Sequence, residues 1–141
     1  MPQNYWLIKS EPNKYSFSQL VKDKQTQWDG VRNFEARNNL RAMKVGDLLL
    51  FYHSNIGKEI VGIARVTKSA SPDQTAKGED WSVVGVAPVT PLTRAITLET
   101  IKKTQALKEM VLLRRSRLSV SPVTAAEFKK ILELSETKGV L

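Results

Sequence analysis

Apolar positions along this chain fall into two periodicities. Residues 5–9 (YWLIK) are a short aromatic and β-branched run, which predicts a strand. Residues 47–53 (DLLLFYH) are continuously apolar behind Gly46 and Asp47. Such a run is too short for a typical helix, so it reads as a strand. Residues 59–68 alternate, with Val61, Ile63 and, after a slip of register, Val66 directed inward. Residues 81–92 carry Val83, Val84, Val86 and Val89. Pro88 and Pro91 place a bulge or a free edge near the end of that strand. Residues 118–123 make a fifth strand.

Helices are signalled by caps. Ser16 precedes a helix over 17–23, and Gln19 completes an S-x-x-Q capping box. Asn33 caps a helix over 34–43, with Phe34, Leu40 and Met43 on roughly one face. Thr97 caps residues 98–104. Thr124 and Glu127 form a second capping box that opens a helix over 125–134, where Phe128, Ile131 and Leu132 recur at helical spacing. The stretch 69–80 (SASPDQTAKGED) reads as a polar loop between strands. Short strands with scattered helices predict one α+β domain over residues 1–141, built on a small, mostly antiparallel sheet or barrel.

Composition narrows the chemistry. The chain has 141 residues, no Cys and one His. Disulfides, thiolate metal sites and a Cys nucleophile are therefore excluded, as is any multi-His metal site. No apolar run approaches the roughly 20 residues that span a bilayer, and the first residues lack a signal-peptide pattern. The expectation is a cytoplasmic protein of a reducing compartment, with no membrane partner, no metal and no cofactor. The net charge of +8, weighted toward the first half, favours a polyanionic partner.

Four clusters carry candidate chemistry. Lys9, Ser10, Glu11 and Pro12 form a polar, proline-stopped tip at the end of a strand. Trp28 precedes a turn at Gly30, and Val31, Arg32 and Asn33 lead into a helix beside Arg37. An indole, arginines and a helix start make a nucleotide-binding kit, although Trp28 reads equally well as core and Arg37 as a surface partner of Glu35 or Asp29. Tyr52, His53 and Ser54 emerge from the third apolar run. His53 and Ser54 point to opposite faces of a strand, so they make a poor base–nucleophile pair, and His53 reads as a structural or ligand-contacting hydrogen-bonder. Finally, Arg114, Arg115 and Arg117 lead into the last strand, where arginine forks suit phosphate. There is no Walker loop, no G-x-G-x-x-G and no nucleophile elbow.

Five motifs in order, WLIKSEP (6–12), WDGVRNFEARN (28–38), GDLLLFYHSN (46–55), GIARV (62–66) and SRLSVSPV (116–123), resemble the EVE domain family of the PUA-like superfamily, related to the thymocyte nuclear protein group. The likeness runs from Tyr5 to about Leu134. A more distant one reaches YTH domains. The resemblance implies a pseudobarrel of five to six strands with flanking short helices. It also implies a pocket for one modified base, modified cytosine in DNA above all. Carried over by position, Trp28 is a wall of that pocket and Lys9, Ser10, Glu11 and Pro12 its edge-reading turn. Val31, Arg32 and Asn33 line the mouth, with Tyr52, His53 and Ser54 opposite. Arg115, Arg117 and Leu118 sit at the rim. Arg37, Arg115 and Arg117 are the phosphate contacts. Trp6 reads as core, and Trp81 as core or a further wall.

The expected function is a non-enzymatic module that binds DNA or RNA carrying a modified base, with room for a DNA-processing partner. The rival readings are RNA binding without modification reading, and a hydrolase of modified nucleotides using His53 or Glu11.

Overall fold

The computed structural model describes residues 3–73 and 81–140. Six strands form one sheet: β1 (Tyr5–Ser10), β2 (Thr26–Trp28), β3 (Leu48–His53), β4 (Glu59–Pro72), β5 (Ser82–Thr97) and β6 (Val120–Val123). Their order across the sheet is β2-β5-β4-β3-β1-β6. Only β1 and β3 run parallel; the other neighbours are antiparallel.

β3 shows why its run is continuously apolar. Leu49 and Phe51 enter one core with Trp6, Ile8, Leu40 and Val66, while Leu48, Leu50 and Tyr52 enter a second with Leu7, Ile63, Phe128 and Ile131. A strand alternates its side chains between faces, so burial on both faces erases the alternation from the sequence. Asp47, at the start of β3, is buried. It accepts from Trp6 Nε1 at 3.0 Å, from the Lys44 amide at 2.9 Å and from the Asn4 amide at 3.2 Å. Trp6 is thus core, as expected.

The helices α1 (Phe17–Asp23), α2 (Phe34–Ala42), α3 (Leu98–Lys103), α4 (Val111–Arg114) and α5 (Ala125–Leu134) surround the sheet. Four of the five begin where the sequence places them, behind caps at Ser16, Asn33, Thr97 and Thr124. α2 packs on β6 as well as on β4 and β5, and so bridges the far ends of the strand order. The box at Thr124 and Glu127 is reciprocal, at 3.1 and 2.9 Å. At α1 only half of it forms, because the Gln19 side chain bonds Asp23 instead.

Several expectations are corrected. β2 was not anticipated: TQW is three residues among polar neighbours, and its strand character comes from pairing with Val84–Val86 of β5. α4 and a 3-10 turn at Gln105–Leu107 were missed for the same reason of brevity. The polar stretch from Ser69 begins as strand, since Ser71 and Pro72 pair with Val83 and Ser82; residues 74–80 of that predicted loop lie outside the described residues. The last strand starts at Val120, and Leu118 precedes it in a turn closed by its amide on the Arg115 carbonyl. Phe34 does not face the core. It is 58% exposed and stacks on Trp81, with centroids 5.1 Å apart and planes at 15°. The bulge near Pro88 is present, where the β4–β5 register slips between Ile63 and Ala64.

Candidate nucleic-acid interface

The end of β1, the turn before α1, and β2 with the turn after it enclose a cavity of about 640 Å3. Trp28 is its aromatic wall. The indole is half-buried and buttressed by the edges of two rings: Tyr15 at 6.0 Å and 78°, and Phe51 at 5.5 Å and 83°. Such packing fixes the plane of the ring without sealing it into the core.

The polar edge of the cavity is held equally firmly. Gly30 adopts φ +76°, a left-handed turn that glycine takes at low cost. Its amide donates to Asp73 Oδ2 at 3.0 Å, and Arg32 Nη1 donates to the same oxygen at 3.0 Å. Asp73 is buried just past the end of β4. Its carboxylate therefore pins the loop that carries Val31, Arg32 and Asn33. Ser10 Oγ donates to the Tyr15 carbonyl at 2.5 Å, which leaves its lone pairs as acceptors. Asn33 Oδ1 caps the Ala36 amide at 2.9 Å, which leaves the side-chain amino group as a donor. Lys9 is half-buried, and burial pushes its ammonium below the usual lysine range; Nζ donates to the Ser116 carbonyl at 2.7 Å.

Of the expected site residues, Lys9, Ser10, Trp28, Val31, Arg32 and Asn33 line this one cavity. Glu11, Pro12, Tyr52, His53, Ser54 and Leu118 do not. Glu11 turns toward Lys14, pairing with it at 3.2 Å, while its carbonyl closes the turn before α1. Leu118 is buried in the core beside Val120, so it is not available at the rim. His53 Nε2 accepts the Phe17 amide at 3.1 Å, satisfying one of the free N–H groups at the start of α1. Burial pushes its pKa below the usual histidine value, with Glu59 opposing.

Tyr52 and Ser54 lie on the far side of Lys9, in a separate hollow. Arg115 forms a bidentate pair with Glu35 at 2.5 and 3.1 Å. Arg37 packs its guanidinium over Phe34 at 5.0 Å and bonds Asn38. Arg117 is exposed beside Ser116. Trp81 is buried under Phe34 and outside the cavity, with Arg32 over its ring at 5.7 Å.

Sequence reasoning missed Tyr15, Asp29 and Ser119 in the lining, and Asp73 behind it. The aromatic Tyr15 two residues before α1 offered a faint signal. Asp73 offered none, because its role depends on a contact 41 residues away.

The six-stranded α+β sheet with its aromatic-walled cavity agrees with the PUA-like fold that the resemblance implies. The EVE domain family model matches residues 4–134, and the chain belongs to that family. It is 43% identical to mouse thymocyte nuclear protein 1, over 96% of this chain and 75% of that one. Its structure is similar to the crystal structure of human THYN1 in complex with 5-methylcytosine containing DNA, with a TM-score of 0.88, 37% identity, and coverage of 97% of this chain and 100% of that one. A YTH domain from Zygosaccharomyces rouxii, in complex with N6-methyladenosine RNA, shares the fold at TM-score 0.59 and 17% identity, with 97% and 89% covered.

Proposed function

We propose that this chain is a non-enzymatic reader of a modified base in nucleic acid, with 5-methylcytosine in DNA as the first candidate and the Trp28 cavity as its pocket. The half-buried, buttressed Trp28 carries the reading. A base stacked on it gains about 1–3 kcal/mol, which offsets much of the few kcal/mol lost on leaving a base stack. The cavity volume suits one small heterocycle with its sugar, within the roughly 300–1,000 Å3 of ordinary ligand sites.

The polar edge has the sense cytosine needs. Asp29 and Ser10 offer acceptors for the exocyclic amino group, and Lys9 and Asn33 offer donors for the ring nitrogen and carbonyl. Val31 supplies an aliphatic surface for a methyl group. One buried methyl is worth about 0.8 kcal/mol, so the preference over plain cytosine from that contact is about fourfold. The human relative bound to 5-methylcytosine containing DNA supports the ligand class.

The test is a titration of matched DNA and RNA oligonucleotides, with and without 5-methylcytosine, against wild type and Trp28→Ala. The variant is expected to bind about five- to a hundredfold more weakly and to lose the modified-base preference. Its circular dichroism should stay native. Wild-type preference retained in Trp28→Ala overturns the assignment. Release of an altered nucleotide during long incubation with wild type overturns the non-enzymatic part.

A further inference from the structure

A second hollow of about 230 Å3 shares only Lys9 with the Trp28 cavity. Its lining includes Tyr52, Ser54, Asn55, Lys58 and Ser116, and Lys9 belongs to both hollows. The wall between the two is the segment 116–119: Ser116 faces the second hollow and Ser119 the first. Lys9 clamps that wall at both ends. Its amide donates to the Ser119 carbonyl at 3.0 Å and its ammonium to the Ser116 carbonyl at 2.7 Å. Arg117, within that segment, is exposed.

We propose that this second hollow holds the backbone phosphate next to the base that occupies the Trp28 cavity, so that the strand crosses the segment 116–119 from one hollow to the other. The inference rests on the base-reader assignment above. Lys58, Tyr52 and Ser54 supply the polar groups for a phosphodiester at one side of the hollow, and Leu98 and Leu112 line the rest of it. Lys58 is exposed and makes no ion pair among the described residues, unlike Arg115, which Glu35 neutralises. The Tyr52 phenol is protonated at neutral pH, as any tyrosine is, and its hydroxyl serves as a donor; burial pushes its pKa further up. Ser54 adds a second hydroxyl.

The turn that brings these groups together is tied down at both ends. The Ser54 amide donates to the Ser10 carbonyl at 2.9 Å, and the Leu98 amide to the Lys58 carbonyl at 2.9 Å. Within it Asn55 (φ +69°), Gly57 (φ +85°) and Lys58 (φ +41°) all adopt left-handed backbone. Two non-glycine residues held in that region cost free energy that a plain connecting turn does not need. Ser54 and Tyr52, whose ring is otherwise buried in the second core, are thereby assigned to the neighbouring phosphate rather than to the base.

The experiment compares Lys58→Gln and Tyr52→Phe with wild type on a single-stranded DNA oligonucleotide carrying one 5-methylcytosine, on its unmodified twin, and on the free nucleoside 5-methyldeoxycytidine. Salt is varied for the two strands. Lys58→Gln is expected to weaken both strands equally, by roughly two- to fivefold, and to lower the slope of log K against log salt by about 0.7, the value of one single-strand phosphate contact. The ratio of modified to plain and the nucleoside affinity should not change. Tyr52→Phe should give a smaller equal loss with the slope retained. An unchanged salt slope in Lys58→Gln, with wild-type base preference intact, overturns the phosphate site and leaves the reader standing. A wild type with no preference for the modified strand sinks the reader itself. Inorganic phosphate titrated alone separates the sources. If it shifts the Ser54 and Lys58 amides in an NMR spectrum while Lys58→Gln costs the strands nothing, the hollow is a free-anion site and the proposal fails.

Discussion

Asp73 and Arg32 meet at 3.0 Å beside the candidate pocket, with the Asp73 side chain fully buried and the Arg32 side chain 41% exposed. The same carboxylate oxygen receives the Gly30 amide, so one buried acid organises the whole turn behind Trp28. Replacing Asp73 by Asn keeps the volume and removes the charge. We expect a stability loss of about 1–3 kcal/mol in urea unfolding, with a weaker grip on a modified oligonucleotide, because a charge-assisted bond becomes a neutral one. An unchanged unfolding midpoint would show that the turn holds itself.

Gly62 on β4 is a packing site. A Cβ there would lie 2.5 Å from the ring of Phe17, which is buried and edge-on to Phe51 at 5.3 Å. Gly62→Ala should therefore cost roughly 1–3 kcal/mol through overpacking. Pairing it with Phe17→Leu should return part of that loss. Additive losses in the double variant would place the strain elsewhere.

The bond from the Phe17 amide to His53 Nε2 requires an unprotonated imidazole. Burial lowers the folded pKa of His53 below 6.5, with the Glu59 carboxylate partly opposing. The unfolded chain then takes up the proton first as pH falls, so stability is complete above about 6.5 and declines through the window beneath it. His53→Gln offers an acceptor that does not titrate. Its unfolding free energy, measured from pH 7 to 5, should fall less steeply than that of wild type. Parallel curves would remove His53 from the acid response.

Glu35 holds Arg115 in a bidentate pair at the surface. Exposed pairs contribute about 0–1 kcal/mol, so Glu35→Gln should barely move the melting temperature. It removes an acid and frees the Arg115 guanidinium. Nucleic-acid affinity should rise about two- to fivefold and its salt dependence steepen. An affinity unchanged by the substitution would take Arg115 off the phosphate path.

Some of this protein is written locally in its chain. Capping side chains at Ser16, Asn33, Thr97 and Thr124 act within three residues, so four helix starts were legible. The apolar run at Leu48–Tyr52 was legible as a strand; its cover on both faces came with the two cores. Trp28 and the Val31–Asn33 turn were legible as candidates because aromatic, glycine and helix-start signals coincide there. Phe34 was misread because helical spacing shows which residues share a face, not whether a ring such as Trp81 waits outside the core to stack on it. β2, the support from Asp73 and the division of Lys9, Trp28, Tyr52 and Ser54 between two hollows came only with tertiary structure. Each depends on partners tens of residues apart, and a local pattern carries no record of which distant backbone will arrive to complete it.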